Sequence, residues 1–153
     1  MEKLPPLQKV YEAWSALADG RVEMGEDEAT VTSSNGAKHY TVSWSEDTYS
    51  SNDNASYWQG YAGYPALAVL MKQGKLPLAE DLIPRFAHID WNALNKKHKR
   101  DYAAAAEEAF EEAFAAADLA KDEIAQAEAA AKQALDAVAA LPIKMKRKGR
   151  PAK

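Results

Sequence analysis

His39, His88 and His98 are the side chains best suited to metal binding or proton transfer at neutral pH in a chain that has no cysteine. No two of them stand four residues apart, the spacing that would present a metal with two imidazoles from one helix face. The missing cysteines exclude disulfides, thiolate zinc sites, cysteine-bound iron–sulfur clusters and a cysteine nucleophile. A Gly-rich phosphate loop, a nucleophile elbow and a His-Glu-x-x-His element are also missing. The acids Glu46, Asp47 and Asp53 fall in a Ser/Asn-rich stretch, where carboxylates ordinarily cap backbone amides. The residues therefore assign no catalytic group, no metal and no cofactor, and an enzyme ranks behind a binding protein.

Two clusters have the chemistry of binding. Tyr57, Trp58, Tyr61 and Tyr64, with Tyr49 just before them, concentrate aromatic surface in a short stretch. Such rings either fold back to fill a small core or stand out as a stacking or peptide-docking platform, and both readings stay open. The second cluster is basic. Lys144, Lys146, Arg147, Lys148, Arg150 and Lys153 occur after residue 141 with no acid among them, so residues 1–141 carry −10 against a net charge of −4. A further basic group, Lys96, Lys97, Lys99 and Arg100 around His98, reads as a solvated helix face.

These clusters need elements to hold them. Leu7, Val10, Tyr11, Trp14 and Leu17 share one helical face after Pro5 and Pro6, and Gly20 ends the run. Alternating residues then predict strands over 21–25, 29–34 and 38–44, with Asn35-Gly36 as a tight hairpin turn. The residues from 45 to 56 have loop composition, and 57–64 continue as a structured loop. An apolar helix follows over 65–73, then a short turn near Pro84.

Residues 91–141 contain no Pro or Gly, and half of 103–140 are alanine, which predicts one long helix or two nearly collinear ones. A heptad seam places Phe110, Ala117, Ile124, Ala131 and Val138 at a, and Ala113, Ala120, Ala127, Ala134 and Leu141 at d. An unbroken helix of that length would reach ~75 Å, so its distal half is expected to seek a second copy of the chain or to stay in water. The expected architecture is thus α+β: a compact domain over 1–90 with an N-terminal helix, a three-stranded antiparallel sheet and an apolar core helix. A long Ala-rich helix over 91–141 and a disordered basic tail over 142–153 complete it.

Residues 29–75 resemble the SWIM zinc-finger pattern: the hairpin, the loop Ser51-Asn52-Asp53, and Gly63-Tyr64-Pro65-Ala66-Leu67-Ala68-Val69-Leu70. The family's ligand positions correspond to Tyr49, Ser51, Gly63 and Pro65, which cannot hold zinc, so the resemblance implies a scaffold in which aromatic packing replaces metal. Lys146-Arg147-Lys148-Gly149-Arg150-Pro151 resembles the AT-hook, with Lys148 in place of the first core arginine. That resemblance implies contact with the narrow minor groove of A·T-rich duplex DNA.

Met1 to Pro6 include Lys3 and no apolar run, which points to the cytoplasm, or to the chromosome if the tail contacts DNA, and no apolar stretch suits a membrane. The functional expectation is a non-enzymatic protein that binds duplex DNA weakly through Lys144, Lys146, Arg147, Lys148, Gly149, Arg150 and Pro151. The alternative is a protein-interaction adaptor, or a self-associating structural protein, using Tyr57, Trp58, Tyr61 and Tyr64 or the alanine seam.

Overall fold

The computed structural model describes residues 3–91, 93, 111 and 113–146. Helix α1 (Gln8–Ala18) leads into strands β1 (Val22–Met24), β2 (Glu28–Thr32), β3 (His39–Ser45) and β4 (Thr48–Ser51). Helices α2 (Asn54–Gln59) and α3 (Tyr64–Lys72) follow, then a 3-10 turn at Ile83–Phe86, helix α4 (Lys121–Ala140) and strand β5 (Lys144–Met145). The chain is α+β as its sequence predicts, but the sheet is not the expected three-stranded antiparallel one. Among the described residues it has five strands in the order β1-β2-β3-β4-β5, and β5 runs parallel to β4.

The fourth strand escapes the sequence reading because Thr-Tyr-Ser-Ser has the composition of a turn. Its alternation is nonetheless real: Tyr49 and Ser51 are buried while Thr48 and Ser50 face outward. The tight connection also lies elsewhere than expected. Ser45 pairs with Thr48 across Glu46 and Asp47, with Glu46 at φ 54°, whereas Asn35-Gly36 sits within a longer loop closed by the Ser33 N–H to the Lys38 carbonyl at 2.9 Å. There the Ser33 hydroxyl donates to Asn35 Oδ1 at 2.8 Å, and Gly36 alone takes positive φ, so local side-chain bonding widens the turn.

Helix α3 packs on the sheet, α1 packs on α3, and the 3-10 turn and α4 pack on α1. Every residue from Val10 to Ala16 is consequently buried. The centre of the core is aromatic: Tyr11 stacks on Phe86 at 5.6 Å and meets Trp14 and Phe114 edge-on at 5.4 and 5.3 Å. Trp91 joins α1 by donating its indole N–H to Ser15 Oγ at 2.8 Å.

The Ala-rich segment does not run straight through. Asp118 takes φ 54°, and α4 restarts after Ala120. Arg85 from the 3-10 turn donates to the carbonyls of Ala117 and Asp118 and to Glu123 Oε2, the last at 2.8 Å. One guanidinium thus satisfies backbone acceptors exposed by the break, while Glu123 Oε1 accepts the Ala120 N–H at 3.0 Å. Because the chain breaks here, Ala127, Ala131, Ala134 and Val138 are buried in the molecule's own core rather than waiting for a second helix, which corrects the expectation of an unpacked distal half. Phe110 and the basic group at 96–100 lie outside the described residues.

The segment after α4 also departs from the expected disordered tail. Ile143 is buried, and the N–H groups of Lys144 and Lys146 donate to the carbonyls of Asp47 and Tyr49 at 2.8 and 2.7 Å, which makes 144–145 an edge strand.

Candidate functional site

The aromatic stretch is organised by Asp53. Its Oδ2 accepts the Ser56 N–H at 3.0 Å, capping α2, and its Oδ1 accepts the Ser51 hydroxyl. Ser56 Oγ in turn accepts the Gly63 N–H at 2.9 Å, and a Cβ at Gly63 would collide with Asp53 Oδ2, so only glycine lets the loop close on its own cap. At the other end Gly60 terminates α2 at φ 76°. The stretch is therefore a short helix capped at both ends, followed by a loop over residues 60–63 that leads into α3.

The four aromatic residues divide. Tyr64 opens α3, is partly buried and meets Tyr40 edge-on at 6.0 Å, so it belongs to the core side. Tyr57 lies edge-on to Trp58 at 4.7 Å, and Tyr61 has the Lys3 ammonium 5.9 Å from its ring centre. Trp58 stands out, with 62% of its surface exposed. Tyr64 thus helps fill the core, whereas Trp58 is left facing solvent.

Beside the C-terminal end of α2 lies a groove of about 640 Å³ lined by Lys3, Gly60 and residues 141–145. Among the described residues its lining carries the cations Lys3 and Lys144 and no acid, in contrast to the negative charge of residues 1–141. Lys144 and Lys146 are exposed on the edge of the sheet, whereas Arg147, Lys148, Gly149, Arg150 and Pro151 lie outside the described residues.

Beneath the other end of α2 is a polar cavity of about 120 Å³, whose walls include Lys9, Glu12, Arg21, Tyr40, Asp53 and Tyr64. Lys9 and Glu12 form an ion pair at 3.2 Å, and Glu12, within the buried run of α1, is only 3% exposed. Glu12 raises the Lys9 pKa above the usual range and keeps the ammonium charged. Burial raises the pKa of both Tyr40 and Tyr64, so their hydroxyls stay protonated. The sequence reading missed this constellation because its members come from distant segments. One signal was present: Glu12 interrupts an otherwise apolar run at i+3 from a lysine, a spacing that pairs charges on one helix.

The positions matched to zinc ligands have other partners here. The Tyr49 hydroxyl donates to Gln73 Oε1 at 2.7 Å, Ser51 and Gly63 belong to the Asp53 network, and Pro65 starts α3. No group of three or more His, Cys, Asp or Glu that could hold a metal ion occurs among the described residues, and no helix there is long and apolar enough to cross a membrane.

Fold and surface together define an α+β protein with a mixed edge-completed sheet and an exposed tryptophan on a doubly capped helix. The chain belongs to the family described as Uncharacterised conserved protein UCP014422, which matches residues 2–144. No curated protein and no solved structure matches the chain. The family match ends at Lys144, so α2 and the cavity lie within it, while Met145 of the groove and the basic residues from Lys146 onward lie past it.

Proposed function

We propose that the chain is a non-enzymatic binding protein that docks an extended acidic segment of a partner protein, with Trp58 as the anchor. The observation that carries this reading is the 62% exposure of Trp58 on a helix fixed at both ends. Rigid, exposed tryptophan supplies large contact area at little entropic cost, and such residues dominate interface energies. The adjoining groove selects the partner's chemistry: apolar Leu141, Ile143 and Met145 accept apolar side chains, while Lys3 and Lys144 attract carboxylates.

A fluorescent peptide alternating Leu with Asp or Glu, and its Lys-containing counterpart, test the reading by anisotropy. The acidic peptide is expected to bind and the basic one not, with Trp58→Ala weakening binding by about thirtyfold. Unchanged affinity in Trp58→Ala, or equal binding of both peptides, overturns it.

A second reading keeps the basic tail as a weak DNA contact, favoured by the exposure of Lys144 and Lys146 where the chain leaves the sheet. Six cations would give salt-dependent duplex binding opposed by the acidic body. Comparing the full chain with one ending at Lys146, on A·T-rich duplex at two salt concentrations, decides it. Equal affinities sink the tail reading.

A further inference from the structure

Among the described residues the sheet ends in two edges, β1 and β5, and their sequences complement each other. On β1 the Arg21 carbonyl accepts from the Thr32 N–H at 3.0 Å and the Gly25 N–H donates to the Glu28 carbonyl at 2.8 Å, so residues 21, 23 and 25 face β2. The N–H and C=O groups of Val22 and Met24 therefore point away from the sheet. On β5 the N–H groups of Lys144 and Lys146 face β4, which turns the backbone groups of Ile143 and Met145 outward, along the groove that both residues line. Outward backbone groups on a sheet edge are a template for a further strand.

The side chains decide which strand fits. Val22 and Met24 lie opposite Val31 and Ala29, and Met145 lies beside Tyr49. Those three partners are buried, as is Ile143, so all four edge side chains belong to the face that α3 covers. Glu23 and Lys144 are exposed and lie beside Thr30 and Thr48 on the other face. Val22-Glu23-Met24 thus reads apolar, acid, apolar, and Ile143-Lys144-Met145 reads apolar, base, apolar.

The strand pairings also leave β1 and β5 running in opposite directions. A second copy set beside the first in the same orientation brings its β1 antiparallel to β5, with both covered faces on one side. In that register Val22 and Met24 exchange backbone bonds with Met145 and Ile143. Glu23 then stands opposite Lys144 at the closer, non-hydrogen-bonded position, where opposite charges favour the pair. Lys146 falls opposite Arg21, whose charge Asp19 already opposes at 3.1 Å.

We propose that the segment docked beside β5 is β1 of a second copy, so that copies join edge to edge with Glu23 against Lys144. This rests on the docking reading for the groove and names its occupant, while Trp58 takes no part in the strand pairing. Because the two edges differ, the contact does not close on itself, and each added copy leaves an edge for the next.

Sedimentation of the full chain over a concentration series tests the pairing. Average mass is expected to rise with concentration past that of a dimer, and to rise less in high salt. Lys144→Glu and Glu23→Lys are each expected to weaken association about tenfold. An equimolar mixture of the two is expected to restore it, since each variant then meets the opposite charge on the other. Met24→Pro, checked for folding by its melting curve, removes a donor that points out of the sheet and is expected to abolish association. A chain that stays monomeric at every concentration, or association that neither the charge variants nor Met24→Pro alters, overturns the proposal. A monomeric chain that still binds the acidic peptide through Trp58 overturns the second copy as partner and leaves the docking reading standing. Association that follows the charge swaps while the acidic peptide fails to bind supports the edge pairing and removes Trp58 as the anchor.

Discussion

Helices α1 and α4 enter the same core by opposite means. On α1 every residue from Val10 to Ala16 is buried, including Tyr11 and Trp14, whereas the longer α4 buries Ala127, Ala131, Ala134 and Val138 along one narrow stripe. Large rings remove much apolar area from water, and alanine methyls remove little. Helix α1 is therefore held by what surrounds it. Helix α4 is held by alanine's own helix propensity, by acids Asp122 and Glu123 in its first turn, and by the Arg85 clamp at its start.

The sharpest way to break this contrast is Trp14→Ala. Removing a fully buried indole from α1 is expected to cost about 3–5 kcal/mol and to lower stability throughout the molecule, read by denaturant unfolding with intrinsic and far-UV probes. A loss below ~1 kcal/mol would show that α1 is not the centre of the core.

Alkaline pH attacks the same region. Burial raises the pKa of Tyr11 and Tyr64 above the ordinary 10.0. The unfolded tyrosines ionise first, so the stability contributed by their burial is complete below pH 10.0 and declines as pH rises beyond it. Tyr11→Phe is expected to flatten that decline, measured as melting temperature against pH; an unchanged slope would remove Tyr11 as its source.

Arg85→Ala has a smaller and more local expected effect, about 1–2 kcal/mol, because its pair with Glu123 is partly exposed. Amide exchange is expected to accelerate in α4 while α1 keeps its protection. Equal loss in both helices would mean that they unfold as one unit and that the contrast is only compositional.

Periodicity revealed α1 and α3 because their apolar faces recur at helical spacing and are bounded by Pro and Gly. It failed at β4, where Thr, Tyr and Ser alternate correctly but two of the buried positions are polar-bearing side chains whose hydroxyls find partners only in three dimensions. It failed again at Asp118, since a left-handed aspartate leaves no Gly or Pro to mark the break and the residue that stabilises it, Arg85, is distant in sequence. Of the candidate surfaces, the aromatic concentration was visible but its division was not: Asp53 and Gly63 decide that Trp58 faces water while Tyr64 turns toward the core. The cavity was hidden because Lys9, Arg21 and Asp53 look like ordinary surface charges until the chain brings them together.

The pairing of Thr48 with Lys144 and of Tyr49 with Met145 also sets an order of events. Strands β1 to β4 can associate through local hairpins, which close short loops, whereas β5 must return across most of the chain before it pairs. Until it does, the outer side of β4 is an open template of backbone donors and acceptors, the kind of edge on which chains pair with one another. Lys144 and Met145 thus cover the edge at Thr48 and Tyr49, and a chain cut before Lys144 is expected to pair with its own copies through that edge.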